Sequence, residues 1–530
     1  MNKLLVIGLT IILSFNTFAS SEKTDLPILH ESISKLNSLT QIFEDDVKPV
    51  FQKFINDPNR ILNRDEARLI RDFWTQFIDY RIVLNTLYST HSESHSSEAI
   101  LIKYTANLQL QKSAVFLSHG LWNNKVARKI LDETNIKQVP RGSFVSMENS
   151  LFKQFNHGLN ESEFPSFFPS YPLEIDRLLA SENKFYTNDE IIIQIENLNS
   201  EAEKTLLAYE NFLTLRSNIR EVKYRFFIYE FKNIFFSLVK KIGSWLGATK
   251  VHNRDADHYN GQTYINDEMA HKMEAKVVPG DIMISKTEWF LSNIFLPGFW
   301  PHSYIYIGEL PKFKLYFNDI TVNQYFSNLC EKRSLNCYDL LSYLSVSPET
   351  QKAMKNYLTK DKYGNSMTVM EATRVGTHFS SYRNSFLNDY LAALRPRQTK
   401  LEKALAIVSL FEMDKKPYDY DFDIQTDDRL FCSETVVKAY LPSREVSGVN
   451  FHYDLENEKY LTTILGRMSL PVINIVHKFY DESVLGLRTP EMDFIAFLEG
   501  NPRTKTSTFQ GVDKFLKTRD YSKWSFLRDN

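Results

Sequence analysis

The chain carries almost no net charge: 63 basic residues against 65 acidic ones leave −2 over 530 residues. It also lacks any dense Lys/Arg run of the kind that follows a phosphate backbone, so nucleic acid is not an expected partner. Beyond the N-terminus no apolar stretch reaches membrane-spanning length, and no internal repeat is visible. Cysteine is scarce, with Cys330, Cys337 and Cys432 as the whole complement. Aromatic residues, by contrast, are plentiful. The 39 Phe and 27 Tyr bring the aromatic share to 14%, which can fill large cores and argues against disorder. The length suits about three units of roughly 100–200 residues each.

The N-terminus departs from this pattern. Met1-Asn2-Lys3 gives a short positive start, an apolar run follows from Leu4 to Phe15, and Thr17-Phe18-Ala19 supplies small residues where a signal peptidase reads. This is the pattern of a secretory signal peptide, residues 1–19, cut after Ala19. The run is too short to span a bilayer comfortably, and no cysteine stands near the cut to mark a lipoprotein. An exported protein, periplasmic or secreted, is therefore expected. In such a compartment Cys330 and Cys337, close in sequence, could pair. Cys432 is then the odd thiol, which in an exported protein is worth reading as reactive, although an inert buried Cys is the commoner case.

Residues 20–246 show helical periodicity. Apolar residues recur at spacings of three and four in 33–54, 67–87, 99–121 and 191–213. Asn63 before Asp65 and Glu66, and Asn188 before Asp189 and Glu190, are N-cap signatures. A large all-α helical domain is expected. In 225–246, Phe227, Phe231, Phe235, Leu238 and Trp245 share one face, and packing into the bundle is preferred to lying on a membrane. Residues 247–276 are polar and poorly periodic, which reads as a linker. His252, His258 and His271 lie there with Asp255 and Asp257, but at no defensible metal-ligand spacing. No metal or organic cofactor is expected.

From 277 the period shortens to two. Val277-Val278-Pro279-Gly280-Asp281-Ile282-Met283-Ile284 reads as a turn and a short strand, and His302-Ser303-Tyr304-Ile305-Tyr306-Ile307-Gly308 alternates as a strand does. Thr368 to Ala372 and Tyr390 to Pro396 add two more strands, with Pro396 closing the last. Residues 401–411 and 431–440 are helices. Residues 277–441 are thus an α+β domain with an antiparallel sheet. Residues 310–364 interrupt it as a helical insertion holding Cys330 and Cys337, and 442–530 form a mixed C-terminal extension.

A thiol nucleophile needs help to ionise, and both a nearby imidazole and a helix N-terminus supply it. Cys432 stands where a helix begins, just after Asp427-Asp428-Arg429-Leu430-Phe431. Peptide N–H groups of that first turn would also face an oxyanion formed on attack. His302 opens a strand directly after Phe299-Trp300-Pro301. A strand-edge His beside a Cys at a helix start is a papain-type arrangement. Glu371, on the next strand, can orient the imidazole through its far nitrogen; His378, shortly after it, competes for a role. Taken singly each residue is weak, since a lone His at a strand start is more often structural.

Taken in order, these segments resemble a family. Gly280-Asp281-Ile282-Met283-Ile284, the His302–Gly308 strand, Met370-Glu371-Ala372 with Gly376, Tyr390 to Pro396, Tyr418-Asp419-Tyr420 and Phe431-Cys432-Ser433-Glu434 follow the pattern of circularly permuted NlpC-type papain-like hydrolases, the YiiX/YebB group. In that group the His precedes the Cys, as here, and the Cys-Ser-Glu at a helix start is the most specific piece. The resemblance implies an NlpC-like α+β fold with Cys432 as nucleophile, His302 as base and Glu371 as orienting residue. It implies cleavage of amide bonds in cell-wall peptides, or action on acyl groups of lipids. It covers about 277–440, a usual domain size.

Three functions compete. The first is an exported thiol hydrolase cutting an amide through an acyl-enzyme on Cys432. The second is a lipid acyl hydrolase or acyltransferase of the same fold. For it, Trp289, Phe290, Leu291, Ile294, Phe295, Leu296, Phe299 and Trp300 would form an apolar wall or a lip touching a membrane, although a helix packed on the core is slightly preferred. The third is a non-catalytic periplasmic binding or scaffold protein. The expected partner is a peptide, cell-wall or lipid substrate, and oligomeric state is not readable.

Overall fold

The computed structural model describes residues 22–58, 60–91, 96–133, 139–157, 189–231, 263–288, 296–443, 446–451, 462–464 and 467–521. The chain forms two compact units. The signal-peptide segment, Asn188, 232–262 and 289–295 lie outside the described residues, and with them the second half of the amphipathic 225–246 stretch.

The first unit is helical. Its longest described helices are Glu22–Ile42, Ser97–Gly120 and Asp189–Ala208, with much of Arg64–Thr90. Ile33, Phe43, Phe73, Trp74, Val115 and Phe144 are buried at its centre, as the three-and-four spacing demands. Asn63 is the expected cap of Arg64–Thr90: its Oδ1 accepts from the Glu66 N–H at 2.9 Å, and the Glu66 carboxylate accepts from the Asn63 N–H at 3.1 Å.

The second unit is α+β. Its sheet has seven antiparallel strands: β1 (Ile282–Lys286), β2 (His302–Tyr306), β3 (Met367–Thr373), β4 (Gly376–Ser381), β5 (Tyr390–Pro396), β8 (Met492–Asn501) and β9 (Thr506–Gln510). Their order is β4-β3-β2-β1-β5-β8-β9, and a separate hairpin pairs β6 (Thr462–Ile464) with β7 (Arg467–Ser469). Both faces are covered. Ile282, Ile284, Ile305, Met370, Ala392 and Leu394 pack against the helices Lys400–Glu412 and Cys432–Ala439 and against the insertion. Met283, Tyr304, Tyr306, Val369, Leu391 and Ala393 pack against Ala270, Met273 and Phe386. With both faces covered, the two alternating sets of side chains along these strands are both mainly apolar.

Three boundaries differ from the reading by pattern. Residues 263–276, read as the end of a linker, hold the helix Asp267–Glu274, capped by Asn266 and buried through Ala270 and Met273. Two buried apolar residues in a polar helix leave little periodicity to see. The sheet continues past 441 through β8 and β9, in the segment read as an extension. The second unit also takes in Lys53–Arg71 and Glu133–Arg141 from the helical half. Between β2 and β3 the insertion forms the helices Leu310–Phe317, Ile320–Lys332, Leu340–Val346 and Gln351–Tyr357, and Cys330 and Cys337 are joined in a disulfide with Cα atoms 5.6 Å apart.

Several motif residues prove to be anchors. The Arg395 guanidinium donates to both oxygens of buried Asp281, at 2.9 and 2.8 Å. The Tyr440 hydroxyl, just past the helix Cys432–Ala439, donates to the Gly280 carbonyl. Gly280 sits at φ +95°, and a Cβ there would lie 2.8 Å from that hydroxyl, so only glycine fits. Gly376 is held more tightly: at φ +96°, a Cβ would stand 2.3 Å from the Lys416 carbonyl. That contact ties the β3–β4 hairpin to the loop leading to the cysteine, together with the Thr377 N–H donating to Lys416 O at 2.9 Å.

Candidate active site

Cys432 is the first residue of the helix Cys432–Ala439, behind an extended Phe431. Every residue of that helix is buried. Its start is secured by the Phe431 N–H donating to the Glu434 carboxylate at 3.2 Å and by Lys438, one turn on, 2.9 Å from the same carboxylate. Lys438 also pairs with Asp427. Burial would raise Asp427, but Lys438 and Lys416 outweigh it and hold that carboxyl well below its ordinary range. Burial pushes Glu434 the other way, well above its range, despite Lys438. The Ser433 hydroxyl donates to the Leu470 carbonyl, and the Cys432 thiol lies 3.7 Å from the Pro301 carbonyl.

His302 begins β2 opposite Ser285 of β1. One ring nitrogen, Nε2, is 2.9 Å from Oε2 of Glu371. Cys432 is the other side chain that acts on the ring and favours its charged form. His302 keeps 27% of its side chain exposed, against 9% for Glu371. The imidazole edge is therefore open to a substrate while the carboxylate is sealed. The other oxygen of Glu371 accepts from the Ser385 hydroxyl at 3.0 Å, and His378, its partner across β3–β4, has Nε2 3.8 Å away. His378 Nδ1 is 3.0 Å from Gly376 O, so His378 flanks the carboxylate.

These contacts set the charges. Burial would lower His302, but Cys432 and Glu371 outweigh that and hold it up at about 10. Burial would raise Glu371, but the bond and charge of His302 bring it down to about 2. The pair is thus charged across the working range. Its contribution to stability is fully present between the ordinary Glu value of about 4.3 and the ordinary His value of about 6.5. It fades as pH falls toward about 2 and as pH rises toward about 10.

The structure therefore brings together all three residues read from the sequence. It also adds Ser385, Lys438 and the Pro301 carbonyl. The Glu434–Lys438 spacing was a readable signal; Ser385 and Pro301 carried none. Of the histidines weighed for metal, His271 is 3.0 Å from the Tyr382 hydroxyl, and His252 and His258 lie outside the described residues.

Residues 276–453 match the family described as permuted papain-like amidase enzyme, YaeF/YiiX, C92 family. This segment is a permuted papain-like cysteine hydrolase domain. Its class of reaction is amide cleavage, and the match spans 178 of the 530 residues. No curated protein and no solved structure matches the chain. Within the papain-like domain, the order His302, Glu371, Cys432 is the permuted one.

One consequence concerns pH. In Glu371→Gln the imidazole, held up at about 10, loses a charged acceptor, so an alkaline limb of activity that originates in His302 is expected to move down. A shift of about one pH unit or more follows from losing an adjacent opposite charge. A pH–rate profile checks this, and an unmoved limb would exclude His302 as its origin.

Proposed function

We propose that the chain is an exported amidase acting on cell-wall peptides or related amides through an acyl-enzyme on Cys432. The observation that carries this reading is the imidazole of His302, held 2.9 Å from the sealed Glu371 carboxylate on a strand that packs against the Cys432 helix, with Cys432 favouring its charged form. Held up at about 10, His302 rests as imidazolium near neutral pH. That places a cation beside the sulfur, the condition under which a thiolate forms.

The steps follow from this. The thiolate attacks the amide carbonyl, and the oxyanion is met by the Cys432 N–H at the helix start, where N–H groups have no intrahelical partner. As the C–N bond breaks, His302 gives its proton to the leaving amine, and a thioester remains on Cys432. Water, giving a proton to the now neutral imidazole, attacks the thioester; the acid leaves and the Cys–His pair is restored. Glu371 keeps the ring turned and stabilises its charged form.

A peptide-type amide is favoured over a lipid. The amidase match supports it, and Phe299 and Trp300, the described end of the apolar stretch, are buried in the core. The Trp300 indole N–H donates to the Thr518 hydroxyl at 2.8 Å. Export is supported by the signal-peptide pattern at residues 1–19.

The test is a short reaction with a cell-wall stem peptide, quenched in acid and digested. The fragment bearing Cys432 is expected to gain the mass of the acyl group. Hydrolysis of the peptide with Cys432 unmodified at every time point would sink the acyl-enzyme.

A further inference from the structure

The family match begins at residue 276, yet the compact unit holding Cys432 includes Lys53–Arg71 and Glu133–Arg141. Both segments reach the nucleophile's helix or its approach. At the far end, Arg64 donates to the carbonyls of Ala439 at 2.8 Å and Leu405 at 3.2 Å. A cation there suits the negative end of the helix. In the loop before the helix, Gln425 donates to the Pro58 carbonyl at 2.7 Å. Closer still, Arg141 Nε lies 2.9 Å from Asp428 Oδ2, and the Asp428 side chain has no exposed surface. Arg429 is the other cation nearby, with Nε 3.6 Å from the same oxygen. Arg141 is itself held: its carbonyl accepts from the Tyr229 hydroxyl at 2.7 Å, and its guanidinium is 3.6 Å from Glu133.

We infer that Arg141, from the helical half of the chain, is a positioning residue for Cys432: by pairing with buried Asp428 it fixes the loop that presents the thiol. This rests on the reading of Cys432 as nucleophile. The physical reason is the cost of a buried charge without a partner. Burial pushes Asp428 up to about 6, and Arg141 is the leading influence that opposes it. Without Arg141 the carboxylate keeps only Arg429, 3.6 Å away, and is driven toward protonation or toward water. Leu430 lies between Asp428 and Cys432, with its N–H on Pro417 O at 3.0 Å and its carbonyl accepting from the Asp419 N–H at 3.1 Å. A displacement at 428 is therefore carried into both strands of the loop beside the thiol. The segment Glu133–Arg141 thereby gains a part in the chemistry although it lies outside the family match.

Alkylation of Cys432 by iodoacetamide in the full chain reads this directly, because Cys432 is the free thiol and the other two cysteines are joined. At neutral pH, Arg141→Met is expected to slow alkylation about tenfold or more, since breaking a buried pair leaves an uncompensated charge. Adding Asp428→Asn removes that charge and is expected to restore the rate to within about threefold of wild type. A general loss of structure predicts no such rescue. Arg141→Met at the wild-type rate, or a double variant no faster than the single one, overturns the inference. If the single variant fails to fold, the double variant decides: it must fold and react near the wild-type rate. A wild-type thiol no faster than that of His302→Ala overturns the nucleophile reading and this inference with it. A wild type faster than His302→Ala but indifferent to Arg141→Met overturns this inference alone.

Discussion

Cys432→Ala is expected to lower amide hydrolysis by about 10⁴-fold or more, because groups that act as one catalytic unit fail together when one is removed. The fold should survive. Cys432 is buried, but the substitution deletes a single sulfur at the end of a helix whose other anchors remain: Ser433 to Leu470, Lys438 to Glu434 and Asp427, and Tyr440 to Gly280. Loss of one buried heavy atom costs about 1 kcal/mol, well inside the stability of an ordinary domain. Turnover of a peptide amide and thermal unfolding, measured on the same preparation, separate the two effects. An Ala variant that keeps more than a few per cent of the activity would move the nucleophile elsewhere.

What the sequence made legible was local. The alternation of His302 to Gly308 marks β2, and the polar Asp427-Asp428 followed by Phe431-Cys432 marks the helix start. Both are set by a few neighbouring residues. Glu371 was legible as the next strand's polar residue, and it is the one that meets His302. Asn63 announced its helix through a cap whose partner, Glu66, stands three residues on. The rest depends on contacts between residues far apart in sequence. Arg141 reaches Asp428, Trp300 reaches Thr518, and β8 pairs with β5 across three intervening helices and a hairpin. Nothing in the local pattern of 133–141 or 263–276 signals that these stretches belong with the sheet. A polar surface conceals the few buried residues that attach them, Ala270 and Met273 in the second case.

The same distinction explains the motif glycines. Gly280 and Gly376 are visible in the sequence, but the reason for them is a distant group, the Tyr440 hydroxyl and the Lys416 carbonyl respectively. Their role is to let two parts of the site approach, which is a packing requirement.

The second large effect concerns His302, and it tests the central claim that Cys432 and His302 form one ionised pair. The measurement is the rate of Cys432 alkylation by iodoacetamide as pH is varied, in the wild-type chain and in His302→Ala. An isolated thiol has a pKa of about 8.5, so at pH about 6 it reacts slowly, as its thiolate fraction dictates. With an imidazolium beside the sulfur, as proposed, the wild type is expected to react at pH about 6 at least about 30-fold faster than His302→Ala, in line with the fall in thiolate fraction of an unassisted thiol. That gap should close at alkaline pH. Two proteins with superimposable alkylation profiles would contradict the Cys–His pair and leave the hydrolase without its nucleophile.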